Sequence, residues 1–276
     1  MASLIFPDGR LCSLPIPSLD EPCTYSRISF GKEKLGRIVE GLTKGRIARD
    51  RDAHLDPDLY RNPLHRIGGW LPAFGPSERA QAHLAKHGVG KGDVFLFFGW
   101  FRKARKDKCL YRFESGAPDL HVVFGWLQVG AVFHPFDSKS ALPDWASCHP
   151  HFSRGQEWHD PDGCEKKKAI YVATKRLKVP GLRKNISGGG VFKGYHDALC
   201  LSAPGQKLRS HWRLPRWMYP FPDRQPLTYH GGRAKWHRDE KWAYLNAVDR
   251  GQEFVLHAED YPEAEKWLVG LFNKAF

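Results

Sequence analysis

Gly88-Val89-Gly90-Lys91-Gly92-Asp93 leads into Val94-Phe95-Leu96-Phe97-Phe98-Gly99-Trp100-Phe101. After a basic segment the chain returns as Leu120-His121-Val122-Val123-Phe124-Gly125-Trp126-Leu127-Gln128-Val129-Gly130 and runs on to Phe133. Phe-Gly-Trp occurs in both runs. Apolar runs rich in Val, Phe and Trp and bounded by Gly and Asp read as strands buried on both faces. A glycine inside each run admits a close neighbour or kinks the strand at a barrel corner. Between the runs, Arg102, Lys103, Arg105, Lys106, Lys108 and Arg112 form an expected basic loop with Tyr111 and Phe113 beside it. A solvated face explains most such runs. Because this one joins two buried strands, its charges should instead gather at one end of the sheet, where they suit phosphates.

Outward from these strands, the Pro-rich residues 7–30 read as extended chain wrapping the core. Leu35, Ile38, Val39 and Leu42 have helical spacing, and Ser77 is the expected N-cap of a helix reaching His87. Ala169–Thr174 and Ala198–Ser202 read as strands, Ser187-Gly188-Gly189-Gly190 as a plain turn, and a closing helix should start near Pro262 and dock on the sheet through Trp267, Leu268 and Leu271. The expected fold is α+β: a curved, mainly antiparallel sheet or partial barrel made from 94–101, 120–133, 169–174, 198–202 and 254–256, flanked by helices. Residues 1–276 are expected to form a single domain, because a chain of 276 residues can bury roughly 75% of its unfolded surface.

The hydrophobic fraction of 41% with 10 tryptophans excludes a disordered chain. No apolar segment approaches the roughly 20 residues that span a bilayer, and the N-terminus lacks signal-peptide features, so a soluble cytoplasmic protein without membrane association is expected. The six cysteines form no C-x-x-C pair and read as free thiols. The net charge of +13 points to a polyanionic partner, DNA or a nucleotide first. Between 207 and 221, Arg209 and Arg213 interleave with Trp212 and Trp217, which suits phosphate contact with base stacking. The plainer reading is a tryptophan core covered by arginines. Arg102, Arg105 and Lys106 complete the candidate nucleic-acid contacts.

Three polar clusters compete to be the reactive site. His54-Leu55-Asp56-Pro57-Asp58 offers two carboxylates that could bind a hard cation or split their pKa values as acid and base; the proline turns their side chains apart, and aspartates beside proline are also ordinary turn formers. Asp119-Leu120-His121 places a carboxylate and an imidazole on one strand face, as a catalytic pair or a structural one. Cys148-His149-Pro150-His151 puts two imidazoles within reach of one metal if the segment is extended. A divalent metal is thus a candidate cofactor, held by His149 and His151. Asp137, His159 and Asp160 add further polar groups nearby. The chain has no H-E-x-x-H, no G-x-S-x-G, no P-loop and no zinc-deaminase signature.

The series Phe6-Pro7-Asp8-Gly9-Arg10-Leu11, His54-Leu55-Asp56-Pro57-Asp58-Leu59, Gly88 to Phe101, Ala117-Pro118-Asp119-Leu120-His121, Phe124 to Gly130, His149-Pro150-His151, Trp212-Arg213-Leu214-Pro215 and Arg250-Gly251-Gln252-Glu253-Phe254 resembles the nucleotide modification associated domain 3 family over nearly the whole chain. The resemblance implies a place in bacterial or phage pathways that build hypermodified DNA bases, with other enzymes of such an operon as partners. Family members carry a strand and a Ser-Arg-Lys-Gly-x-Asp segment ahead of the Pro-Asp-Gly turn, a segment expected to be missing here. The Gly-Asp turn and glycine-bearing strands are also similar, more loosely, to PUA-like and EVE barrels, an analogy that favours base handling. The leading expectation is an enzyme of DNA base hypermodification. The alternatives are a non-catalytic reader of modified bases and a metal-dependent nuclease.

Overall fold

The two glycine-bearing runs are the long central strands of the protein. The computed structural model describes residues 1–61, 64, 66–76, 78–134, 143–153, 168–248 and 253–275. Ser77, Asp137, His159, Asp160 and 250–252 lie outside the described residues.

In chain order the first part comprises β1 (Ser3–Ile5), β2 (Leu11–Cys12), β3 (Ile16–Pro17), β4 (Ser29–Phe30), β5 (Glu33–Lys34), α1 (Leu35–Leu42), β6 (Ala53–His54), β7 (Ala73–Phe74) and α2 (Glu78–Lys86). The central part holds β8 (Val94–Asp107), β9 (Leu110–Phe113), β10 (Leu120–Phe133), α3 (Pro150–Ser153) and β11 (Ile170–Ala173). The last part holds β12 (Gly189–Val191), β13 (His211–Pro215), β14 (Trp236–Arg238), β15 (Trp242–Asn246) and α4 (Pro262–Ala275).

The main sheet runs β2-β1-β8-β10-β11-β7, with β9 on β8 and β12 on β10, and curls into a half-barrel. Only the β1–β8 pairing is parallel among the named strands. β8 and β10 pair antiparallel, with Val123 opposite Phe98 and Gly125 opposite Phe97, so Phe124 is an extra residue that bends β10. A second bend falls at Gly130, skipped between the Val129 and Ala131 pairings with β11. A Cβ at Gly125 would sit 2.5 Å from Leu59 Cδ1 and 2.9 Å from the Gly190 carbonyl oxygen, so the missing side chain is what lets the 54–60 segment lie against β10. From His121 to Val129 β10 is buried throughout, whereas β8 is only half-buried over Val94–Trp100.

α1 closes one end of the sheet with Ile38, Val39 and Leu42 against Leu4, Phe6 and Tyr25. α4 docks on the sheet as its apolar stripe requires, with Leu271 and Phe272 against Trp126 and Phe192. Burying side chains of that size contributes about 1.5–3 kcal/mol each.

Three local expectations are corrected. The basic segment is not a loop: β8 continues to Asp107 and pairs with β9, turning at Lys108 with φ +54°. Ala198–Ser202 and Phe254–Leu256 are not strands; the first makes only isolated bridges through Cys200 and Ser202, and the second is coil. The Ser187–Gly190 turn enters β12 at Gly189, where glycines let Pro72 and Trp126 press against the backbone. A separate three-stranded sheet, β13-β15-β14, was not expected. Among the described residues, no helix is long and apolar enough to cross a membrane.

Candidate metal centre

β6 ends at His54, and the peptide bond between Asp56 and Pro57 that follows is cis. Asp58 then pairs through its backbone N–H and C=O with Ala73 of β7. The two aspartates have different partners. Asp58 is clamped by Arg66, which donates Nη1 to Oδ2 and Nη2 to Oδ1, both at 2.6 Å, while the same guanidinium lies 4.4 Å above the Trp70 ring. Burial pushes the Asp58 carboxyl up from its ordinary value against the pull of Arg66. With both oxygens occupied, this residue is structural.

Asp56 turns the other way, toward α3. Its Oδ2 lies 3.2 Å from His151 Nε2 and its Oδ1 3.5 Å from His149 Nε2, with the Gly75 N–H donating to Oδ1 at 3.0 Å. The side chain is only 7% exposed. Burial alone would favour the neutral acid, but the hydrogen bonds and charges of His149 and His151 outweigh it and hold the Asp56 carboxyl well below the usual carboxylate range. The His54 ring packs edge-on to that of His151 at 5.1 Å. His54, Asp56 and His151 each offer a ligand atom within 4.8 Å of the other two. Ligands bound at about 2.0–2.2 Å around one ion stand roughly 3.0–3.4 Å apart, which the His151–Asp56 distance already meets.

The surroundings fix which atoms face the centre. Glu21, whose side chain is fully buried, accepts a hydrogen bond from His54 Nδ1 at 2.9 Å, which leaves Nε2 as the donor atom for a cation. His149 Nδ1 accepts from the His151 backbone N–H at 3.3 Å, which turns its Nε2 toward Asp56. His151, rather than His149, is the second imidazole grouped with His54 and Asp56. Gly75 makes room for that ring: a Cβ there would lie 2.6 Å from His151 Cδ2. Glu253 is close enough for the Asp56 charge to add to burial in raising its carboxyl. Two imidazoles and one carboxylate suit Fe2+, Mn2+ or Zn2+ and leave positions open for water or substrate.

The remaining candidates lie elsewhere. Asp119 accepts from the Trp100 indole N–H at 2.8 Å and meets Arg102 Nε at 3.3 Å. His121 is buried, its Nδ1 accepting from the Trp212 indole at 2.9 Å. Trp212 is core at 4% exposure, which leaves it no face for a base, and Trp217 packs on Tyr261 and Trp267. Arg209 lies over Trp100 at 4.7 Å and Arg213 over Trp242 at 4.6 Å. Arg105 stands exposed on β8, and Lys106 pairs with Glu33 at 3.0 Å. Glu21, Gly75, Arg66 and Glu253 are the site residues that sequence reasoning missed; for Glu21, 33 residues before His54 in a Pro-rich stretch, the sequence carries no signal.

An α+β half-barrel with a half-buried histidine–carboxylate cluster at the edge beside β7 is the class that fold and site define. The chain belongs to the family described as Nucleotide modification associated domain 3, whose model matches residues 1–257 of the 276. Neither the curated proteins nor the solved structures give a match.

Proposed function

We propose that this protein is a metal-dependent enzyme that modifies a nucleobase, free in a nucleotide or carried in DNA. The observation that carries the reading is the centre formed by His54, Asp56 and His151 in a chain of a nucleotide-modification family. When bound, a divalent ion there supplies a Lewis acid with open coordination positions. The protein's own groups orient it: Glu21 fixes the His54 tautomer, and His149 and Gly75 hold the Asp56 carboxylate. A cavity of about 330 Å³ lined by Leu59, Tyr60, Arg61, Trp126 and Gly190 supports the reading, because its wall starts three residues beyond Asp56 and its size suits a small planar ligand. Net charge of +13 supports a nucleotide or DNA as the partner.

A magnesium nuclease is less well supported, since that ion takes oxygen ligands and Asp58 is committed to Arg66. The test is digestion and mass analysis of nucleosides after incubating the protein with DNA or deoxynucleotides and Fe2+, Mn2+ or Zn2+, with the co-substrates of a cell extract. A nucleoside of altered mass that disappears with Asp56→Asn is the expected result. Unaltered nucleosides under every metal, together with tight DNA binding, would replace the enzyme by a reader of bases.

A further inference from the structure

A second cavity lies across the main sheet from the metal centre. It holds about 300 Å³, near the lower end of the range for small-molecule sites, and its walls include Leu42, Ile47, Trp100 and Phe113, with Arg46 and Arg102 beside them. In the sheet order it flanks β1 and β8, whereas the metal centre adjoins β7, so β10 and β11 stand between the two. None of its residues takes part in the chemistry described above.

The aromatic wall is built, not incidental. Trp100 is half-buried, and its indole N–H donates to Asp119 Oδ1 at 2.8 Å, which sets the plane of the ring. Arg209 lies 4.7 Å over that ring. Arg102 is locked in turn, Nε at 3.3 Å from the same carboxylate oxygen and the guanidinium 5.3 Å over Phe113. Arg46 is exposed and is tethered by its Nε to the Thr43 carbonyl at 3.3 Å. One carboxylate thus orients both an indole and a guanidinium, and two arginines, Arg46 and Arg102, line the same hollow.

Such a hollow selects among ligands by simple chemistry. Apolar and aromatic walls give inorganic phosphate little to bind, while a flat heteroaromatic ring stacks on an indole whatever its sequence identity. Arginines beside the ring add donors for a phosphate attached to it. A base joined to a phosphorylated sugar satisfies both halves.

We propose that the Trp100 cavity is a nucleotide-binding subsite, separate from the metal centre, that grips one nucleoside phosphate unit by its base and its phosphate. The choice of ligand rests on the nucleotide reading of the protein, but the site and its test do not involve the metal. The subsite would hold a nucleotide in place while the metal centre acts on its own substrate.

Isothermal titration with deoxynucleoside 5′-monophosphates, a short single-stranded oligonucleotide and inorganic phosphate tests it. Monophosphate or oligonucleotide should bind to the wild type, and which of them binds identifies a free or a polymer source. Trp100→Leu should weaken that binding about tenfold or more, the scale of one stacked base. Arg46→Gln, at an exposed position that cannot endanger the fold, should weaken it severalfold and flatten its salt dependence. His54→Ala, which removes a metal ligand, should leave it unchanged. The inference is overturned if neither ligand binds, if inorganic phosphate binds as tightly as the nucleotide, or if Arg46→Gln and Trp100→Leu both bind like wild type. Failure of the metal chemistry with retained Trp100-dependent binding would sink the enzyme reading and leave this subsite standing.

Discussion

Gly75→Ala perturbs the metal centre without removing any ligand. The added Cβ would stand 2.6 Å from His151 Cδ2 and 2.9 Å from Cγ, where ordinary contact begins at 3.4 Å. The strand has little freedom to yield. Ala73 and Phe74 pair with Val172 and Tyr171, Ala73 also bonds Asp58, and the Gly75 N–H is tied to Asp56. The His151 ring, carried on a four-residue helix, must therefore withdraw from Asp56. Displacing one of three ligands in this way should lower affinity for Mn2+ or Zn2+ about 10- to 100-fold, comparable to losing a supporting hydrogen bond. Stability should shift by less than about 1 kcal/mol, because the gain from a stiffer unfolded chain offsets part of the crowding. Competition against a metal-sensitive dye measures the first quantity and thermal unfolding of the apoprotein the second. Wild-type metal affinity in Gly75→Ala would mean that His151 is not a ligand.

Two further expectations test the frame around the site. Arg66→Met strands the Asp58 carboxylate, itself 6% exposed, and should cost about 3–5 kcal/mol by denaturant unfolding, with much of the loss recovered in the double variant Asp58→Leu, Arg66→Met; an unchanged midpoint in the single variant would contradict the clamp. His230 is fully buried, and burial lowers its pKa from the ordinary 6.5 despite a hydrogen bond to the Thr228 carbonyl. Its Nδ1 faces that carbonyl at 3.0 Å, and its Nε2 accepts from the Val248 N–H at 3.3 Å, so the folded ring is neutral. The unfolded chain takes up a proton that the fold refuses, so stability is steady above about pH 6.5 and falls as pH drops below it. Protection factors in β14 and β15, taken against the intrinsic amide exchange rate at each pH, should fall as pH drops below about 6.5 and fall less in His230→Gln; protection that rises on acidification would reverse the sign.

The frame of the fold was legible where one signal dominated. Unbroken apolar runs gave β8 and β10, helical spacing gave α1, and the stripe at Trp267, Leu268 and Leu271 gave α4. Arg102 to Arg112 misled because Lys and Arg are poor indicators of strand, yet pairing with β9 extends β8 through them. The β13-β15-β14 sheet did carry a signal: Trp212 and Leu214 point inward while Arg213 points out, the alternation of a half-buried strand, but the same residues also suit a stacking face. At the site, the polar motifs around Asp56 and His151 were visible separately. Their meeting was not, because His151 follows Asp56 by 95 positions and the contact depends on a missing side chain at Gly75 and on the curl of the sheet.

The central claim is that His54, Asp56 and His151 hold one metal ion, and X-ray absorption spectroscopy of protein loaded with Mn2+, Fe2+ or Zn2+ tests it most directly. The account predicts one tightly held ion per chain with two imidazoles and an oxygen donor in its shell, reduced to one imidazole by either His54→Ala or His151→Ala. An ion coordinated by water alone, or a two-imidazole spectrum unchanged in both variants, would contradict it.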